Sequence, residues 1–244
     1  MATAVVTGAA GGIGRALARR LAAGHQVHLA DTADTADLAA EVGGFAHTAD
    51  VSKPEDMERL AAAAGDAEVV CLNAGVVGTS MGAPWEVPAE EWQRLLGVNL
   101  LGVVNGLRAF VPAMVARERP GRLVITASVA GLVTFPGGGA YAATKHALVA
   151  VAEQAALALR DTPVSVTLLC PALVRSGMSE TGEDPDVVAV EALEAAGEGR
   201  FLVVPPEWGP ALAARAKRLV GDVMTYLERL REAGETAQPS GHGA

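Results

Sequence analysis

The sequence predicts a doubly wound α/β fold, a mainly parallel sheet with helices on both faces. Short apolar runs rich in valine and leucine alternate along the chain with longer segments of helical periodicity, which is typical of this layer architecture. Half of the residues are hydrophobic, enough to bury both faces of such a sheet. The first apolar run, residues 4–6, leads into a glycine-rich turn that opens a helix, and this order indicates a βαβ unit.

The elements follow from these patterns. Strands are predicted at residues 4–6, 27–30, 44–49, 69–72, 123–126, 164–169 and 200–204. Helices are predicted at residues 15–23, 54–64, 90–115, 147–159 and 210–231. Ser52 and Glu55 have the spacing of a capping box at the start of the second helix. Residues 175–200 are charged and helix-capable, and we expect them to form a mobile lid beside the site.

Length and charge limit the class of protein. The 244 residues fit one large domain, which we predict over residues 1–232, with a disordered tail at 233–244. The net charge is −9 and no basic run occurs, so we expect no nucleic-acid partner and no anionic membrane surface. Residues 123–144 lack charge, but glycines and a proline interrupt them. We therefore expect a soluble, cytoplasmic protein.

The turn between the first strand and helix is a candidate phosphate site. Thr7 to Gly14 reads T-G-A-A-G-G-I-G, and glycines in such a turn let the backbone approach a pyrophosphate at a helix N-terminus. Asp31 follows the second strand, where a carboxylate can accept the ribose hydroxyls of adenosine and repel a 2′-phosphate. The alternative is a solvated loop aspartate. The pattern favours NAD over NADP.

A second candidate site lies between residues 128 and 145. Tyr141 and Lys145 stand one helical turn apart, and an adjacent ammonium is expected to lower the pKa of the phenol. Ser128 follows the preceding strand and can offer a hydroxyl to the same place. Such a group suits proton transfer between an alcohol and a carbonyl. A surface tyrosine above a solvated lysine is the alternative, because this pair alone is common by chance.

Taken together, the motifs resemble those of the short-chain dehydrogenase/reductase family, over residues 3 to about 204. The turn Thr7–Gly14, the segment Asn73-Ala74-Gly75 and the spacing from Ser128 to Tyr141 are similar to that family's motifs. The chain departs from the pattern at Leu72, at Ala172 and in its C-terminal helix. The resemblance implies a single-domain Rossmann fold and an oxidoreductase that interconverts a secondary alcohol and its ketone with NAD.

The resemblance also implies roles for individual residues. The catalytic positions are Asn99, Ser128, Tyr141 and Lys145. Tyr141 is the general acid/base, Lys145 assists it and holds the nicotinamide ribose, Ser128 bonds the substrate oxygen, and Asn99 holds a relay water. Asn99 has an alternative interpretation as a satisfied buried amide. The implied cofactor residues are Thr7, Gly8, Gly12, Ile13, Gly14, Asp31, Asp50, Val51, Asn73, Ala74, Gly75, Tyr141, Lys145, Pro171 and Val174.

The substrate and the assembly are predicted from apolar positions. The residues expected to face the substrate are Val129, Ala130, Phe135, Leu173 and Met178, with Trp85 as a further candidate. They favour an apolar or alicyclic alcohol or ketone. The helix over residues 147–159 is apolar nearly all round, which indicates a homodimer or homotetramer.

Two other functions stay open from the sequence. One is an epimerase or dehydratase that uses bound NAD transiently, and the other is a catalytically silent NAD-binding sensor. Net reduction of free NAD during turnover would exclude an epimerase or dehydratase as the main activity. The intact set of catalytic residues argues against a silent sensor. No metal-ligand cluster is visible in the sequence, so no metal site is expected.

Overall fold

The structure, a computed structural model, describes residues 1–80, 82–177 and 179–232, without the side chains of residues 226, 227 and 230–232. Met178 and the predicted tail at 233–244 lie outside the described residues. The chain divides into two compact units, which separate after Pro205. The predicted domain of residues 1–232 extends past this boundary and stays a prediction there.

The first unit contains one parallel sheet, as predicted. Its strands are β1 (Ala2–Thr7), β2 (His25–Asp31), β3 (Phe45–Thr48), β4 (Ala67–Leu72), β5 (Gly121–Thr126), β6 (Val164–Leu169) and β7 (Leu202–Val203). They lie in the order β3-β2-β1-β4-β5-β6-β7, and every neighbouring pair is parallel. The order reverses between β1 and β4, so a crevice opens at the carboxyl ends of these two strands.

Helices cover both faces of this sheet. They are α1 (Gly12–Leu21), α2 (Ala36–Val42), α3 (Pro54–Ala64), α4 (Ala89–Leu95), α5 (Gly102–Ala116), α6 (Gly139–Leu159) and α7 (Pro185–Gly197). Side chains of α3, α5 and α6 share one buried cluster, and those of α1, α2 and α7 share the other. Two hydrophobic layers thus hold the sheet, and the predicted fold class is confirmed.

A π-helical turn, Leu96–Leu101, joins α4 to α5. Asn99 lies in this turn and is fully buried. The continuous helix Ala89–Ala116 is long and apolar enough to cross a membrane by length and composition, a test that core helices of soluble proteins also meet. The uncharged residues 123–144 divide between β5, a loop and the start of α6.

Two local predictions were wrong, and one helix was missed. The start of α3 has no capping box: Lys53 is the N-cap residue without a side-chain cap bond, and the Ser52 hydroxyl instead donates to Asp50. The short helix α2 was not predicted. Residues 175–200 are not one mobile lid, because α7 packs against α1 through a row of buried alanines: Ala189, Ala192, Ala195 and Ala196.

The second unit begins at Pro206 and contains α8 (Gly209–Glu232). Its bounds agree with the predicted helix at residues 210–231 to within a residue at each end. Leu219, Val220, Val223 and Met224 of this helix are exposed.

Candidate active site

The glycine turn between β1 and α1 is shaped by three close backbone approaches. Gly8 has φ +66°, and a Cβ there would lie 2.7 Å from the Ala74 Cα. A Cβ on Gly14 would collide with the Gly8 carbonyl, and one on Gly12 would lie 2.8 Å from the Arg175 carbonyl. Only glycine fits at these positions. The helix starts at Gly12, where the Arg15 amide donates to the Gly11 carbonyl at 2.8 Å.

Thr7 and Asn73 join the glycine turn to the carboxyl end of β4. The Thr7 hydroxyl donates to the Cys71 carbonyl and accepts from the amides of Asn73 (3.0 Å) and Ala74 (3.2 Å). The Asn73 side chain donates to the Thr7 and Gly8 carbonyls and accepts from the Thr126 hydroxyl. These residues therefore fix the floor of the crevice between β1 and β4.

Asp31 lies at the end of β2 beside this turn. Its carboxylate oxygens accept from the amides of Ala10 and Ala33, each at 3.0 Å. Since each carboxylate oxygen has two acceptor sites, one remains on each for a further hydroxyl. Asp31 lines the same cavity as the glycines, so it is not the solvated loop aspartate that the sequence left open.

Asp50 and Val51 follow β3, where the resemblance places adenine contacts. The Asp50 carboxylate accepts from the amide and hydroxyl of Ser52, at 3.0 and 2.7 Å. Val51 is buried and packs against the backbone at Gly102. Asp50, Val51, Thr7 and Ala74 are not among the described residues that line the cavity. Their contacts with a cofactor stay predictions.

Ser128, Tyr141 and Lys145 converge on the opposite end of the same cavity. Ser128 follows β5, accepts from the Ala130 amide at 3.1 Å and donates to the Pro171 carbonyl at 3.4 Å. Lys145 is buried on α6, and its Nζ donates to the Thr126 carbonyl at 3.1 Å. This Nζ lies 5.8 Å from the centroid of the Tyr141 ring. The three side chains predicted to act together are therefore neighbours.

The pKa values of this group differ from the sequence prediction. Burial raises the pKa of Tyr141, a hydrogen bond with Ser128 opposes that increase, and Lys145 contributes no resolved lowering. Burial also lowers the pKa of Lys145 from 10.5 to about 8. The prediction of a lowered tyrosine pKa was wrong, because burial of the phenol has the largest effect and raises it. Tyr141 is held as the protonated phenol.

Asn99 is placed as a satisfied buried amide. Its Oδ1 accepts from the Val76 amide at 2.8 Å, and its Nδ2 donates to the Val76 carbonyl at 2.9 Å and the Thr144 hydroxyl at 3.2 Å. A Cβ on Gly75 would lie 3.4 Å from both Asn99 Oδ1 and Lys145 Nζ, so Gly75 passes between them. The relay role of Asn99 stays a prediction, since both amide hydrogens already have partners.

One cavity of about 240 Å³ is lined by the glycine turn, Asp31, Ser128, Tyr141 and Lys145. Of the predicted substrate residues, Leu173 lines it, whereas Val129 and Ala130 are buried outside its lining. Phe135 and Trp85 are 43% and 85% exposed and do not line it either. Lining residues to which the sequence assigned no cofactor, catalytic or substrate role are Gly11, Val76, Val77, Thr126, Ala127, Ala172, Ser176 and Ser179.

The loop after β6 contains the cavity-lining residues that come last in the chain. Parallel bridging of Val174 with Glu183 and a bond from the Glu183 amide to the Leu173 carbonyl close it at its base. An Arg175–Asp184 ion pair at 2.5 Å joins it to the N-cap of α7. Arg175 is thus an ion-paired loop residue. Ser176 and Ser179 form a bridge and line the cavity, and no periodic pattern in the sequence indicated it.

The residues present fit a dinucleotide. Glycines 8, 11, 12 and 14 leave space for a pyrophosphate at the N-terminus of α1, whose free amides favour an anion. Asp31 lies where ribose hydroxyls can be accepted, and Lys145 and Tyr141 lie at the other end of the cavity. Among the described residues, no group of three or more potential metal ligands occurs.

The parallel sheet reverses its strand order beside a cavity that these side chains line. This combination is typical of an α/β oxidoreductase that uses a dinucleotide. The model of the short-chain dehydrogenase family matches residues 2–186. The chain belongs to the short-chain dehydrogenase family and, like its relatives, is an oxidoreductase that acts on an alcohol or ketone.

Three relatives illustrate the similarity. A 1-deoxy-11-beta-hydroxypentalenate dehydrogenase of Streptomyces exfoliatus is 44% identical over 82% of this chain and 81% of its own length. An enzyme of the same name from Streptomyces avermitilis is 37% identical over 98% and 96%. The crystal structure of a short-chain dehydrogenase/reductase from Burkholderia phymatum in complex with NAD has TM-score 0.83 and 30% identity, and the match covers 91% of this chain and 95% of that one.

Proposed function

We propose that this enzyme uses NAD to interconvert an apolar or alicyclic secondary alcohol and its ketone. One observation carries the proposal: a single cavity joins the glycine turn and Asp31 to Ser128, Tyr141 and Lys145. NAD, when bound, supplies the hydride acceptor, and the protein supplies binding, orientation and proton transfer.

Tyr141 is the proton-transfer group in this proposal. Its raised pKa keeps the phenol protonated, which suits donation to the oxygen of a ketone; oxidation of an alcohol requires the phenol to lose that proton first. Ser128 holds the same oxygen through its hydroxyl. Lys145, buried on α6, would donate to a ribose hydroxyl of the nicotinamide half. This group of side chains would have no use in a silent sensor.

The preference for NAD rests on Asp31. Its carboxylate is fixed by two backbone amides, and a 2′-phosphate at this place would be repelled. Among the described residues that line the cavity, Lys145 is the single basic side chain, and it lies with Tyr141 rather than at Asp31. No cation on this wall is therefore placed to bind an extra phosphate.

The substrate class rests on the side chains that remain for it. Val76, Val77, Ala127 and Leu173 give the cavity an apolar wall, which favours hydrophobic ligands. The Streptomyces relatives are named for a hydroxypentalenate, an alicyclic alcohol, and we carry this class to the chain as part of the proposal. Residues outside the cavity, such as Phe135, make no contribution to this argument.

A panel of alcohols with NAD tests the function. Cyclic and bicyclic secondary alcohols are expected to give NADH, with higher kcat/KM than polyols or short hydroxy acids. The reverse order of preference would contradict the apolar wall. Turnover of a substrate without net formation of free NADH would instead indicate the epimerase or dehydratase alternative.

Assembly and location complete the proposal. We propose a homodimer or homotetramer in the cytoplasm without nucleic-acid or membrane partners, in line with the acidic net charge. Leu101, the last residue of the π-helical turn before α5, is 51% exposed, and Leu157, on α6, is 60% exposed. Large apolar side chains exposed on helices of one layer are typical of a surface that a second subunit covers.

A further inference from the structure

Several main-chain groups of residues 76–80, the loop after β4, form hydrogen bonds with side chains. Asn99 binds both the amide and the carbonyl of Val76. Arg94 Nη2 donates to the Val77 carbonyl at 3.0 Å. Glu91 accepts from the amides of Thr79 and Ser80. Glu91 and Arg94 lie one turn apart on α4, and we call this pair the α4 clamp.

Glu91 is the buried half of the clamp, with a side chain only 8% exposed, whereas Arg94 is 45% exposed. Besides the two amides, the Thr79 hydroxyl lies 3.3 Å from each carboxylate oxygen. Hydrogen bonds from Ser80, followed by those from Thr79, lower the pKa of Glu91, so it is ionised at neutral pH. A buried carboxylate is favourable only while donors such as these surround it, which ties the loop to α4.

Gly78 shows how closely the loop follows Glu91. A Cβ on Gly78 would lie 2.6 Å from Glu91 Oε1 and 3.5 Å from Leu95 Cδ1. A side chain at this position would force either the loop or the Glu91 carboxylate to shift. The loop therefore passes close over the carboxylate.

The same loop forms part of the catalytic cavity. Gly75, Val76 and Val77 line that cavity, and they also line a second, more open one whose other walls are Thr79, Glu90, Glu91 and Arg94. The loop is thus a thin partition with the clamp behind it. The cofactor end of the site is held independently, by Thr7 and Asn73.

We propose that Glu91 and Arg94 are positioning residues that hold residues 77–80, and with them the Val77 part of the apolar wall for the substrate. The inference rests on the proposed function and adds residues that fix its specificity. Because the clamp touches the partition and not the glycine turn, its loss should raise KM for an alicyclic alcohol while NAD binding stays unchanged.

The test compares Glu91→Gln and Arg94→Ala with Glu90→Gln. Glu90 is the matched control, since it lies in the same first turn of α4 and lines the same second cavity but has no hydrogen bond to the loop among the bonds described. With cyclohexanol or a bicyclic alcohol from the panel, Glu91→Gln should raise KM by about tenfold, the value of one or two charge-assisted bonds. The kcat value and the NAD dissociation constant should change by less than about threefold.

Hydrogen–deuterium exchange gives a readout that does not need turnover. The amides of residues 77–80 should exchange faster in both clamp variants and at an unchanged rate in the control. If Glu91→Gln does not fold, Arg94→Ala carries the test, because it removes a half-exposed side chain and leaves the bonds from the Thr79 and Ser80 amides to Glu91 in place. Equal effects of Glu90→Gln and Glu91→Gln, or faster exchange with unchanged KM, would overturn the proposal. Failure of the unaltered enzyme on every alcohol would reject the proposed function alone, and exchange would still decide whether the clamp holds the loop.

Discussion

Lys145→Met is expected to make the protein more stable and inactive. Lys145 is 4% exposed, and burial lowers its pKa from 10.5 to about 8. One pKa unit corresponds to about 1.4 kcal/mol, so the buried ammonium costs about 3 kcal/mol at pH 7. Methionine also leaves the Thr126 carbonyl without the bond from Nζ, which costs about 1 kcal/mol. The net gain in the free energy of unfolding should be about 2 kcal/mol.

The pH dependence separates this charge effect from better packing. Because the folded protein releases the Lys145 proton near pH 8 and the unfolded chain only near pH 10.5, the unfolded state binds more protons between these values. The free energy of unfolding of the wild type therefore rises as pH increases through this window. Below the window, the full cost of burying the ammonium is present. The stability gap between variant and wild type should narrow by about 1 kcal/mol between pH 8 and pH 9.

Urea unfolding followed by circular dichroism, without added nucleotide, measures both quantities. Burial raises the pKa of Cys71 and of Cys170 to about 12, so both proteins lose stability above pH 9, and this loss largely cancels in the difference. Lys217→Met, at an exposed lysine of α8, is the control and should show no change at either pH. A variant no more stable than wild type at pH 7, or a constant gap from pH 8 to pH 9, would refute the reasoning.

Three further predictions concern the proton, the cofactor and the assembly. Tyr141→Phe should bind NAD as tightly as wild type and lose nearly all turnover, since only the hydroxyl is removed; activity within about tenfold of wild type would mean that another group is the acid/base. Asp31→Ala should lower the ratio of kcat/KM for NAD over NADP by about tenfold or more, and an unchanged ratio would show that Asp31 does not select the cofactor. Leu157→Asp should shift the oligomer toward monomer in light scattering, while Val187→Asp, at an exposed position of α7, should not; a monomeric wild type at micromolar concentration would contradict the assembly.

The glycine turn could be predicted because its strand-turn-helix order is visible in a dozen residues. The contacts that require glycine are only partly local: Gly14 faces the Gly8 carbonyl of the same turn, whereas Gly8 and Gly12 face Ala74 and Arg175, which are distant in sequence. Asp31 follows from the same order, since it ends the next strand of the sheet. Alternation of apolar runs and helical patterns likewise sufficed for the parallel sheet.

Burial determined the features that the sequence did not predict correctly. The pKa of Tyr141 depends on how much water reaches it, which spacing to Lys145 does not reveal. Acidic residues made α7 look solvated, although its small alanines form a buried row against α1. Glu91 resembles an ordinary first-turn helix glutamate, and its bonds to Thr79 and Ser80 depend on a loop path that no periodicity encodes.

The site separates residues that hold the backbone from residues that face the substrate. The polar atoms of one set of residues form hydrogen bonds mainly with main-chain groups: Thr7, Asn73, Asn99 and Glu91. We call these four residues the frame; changing them loosens the backbone and leaves buried polar groups without partners. A second set has apolar side chains that line the cavity and make no such bonds: Val76, Val77 and Leu173. Substitutions at these three positions should therefore change the size of alcohol accepted at little cost in stability, whereas changes to the frame should alter substrate binding and stability together.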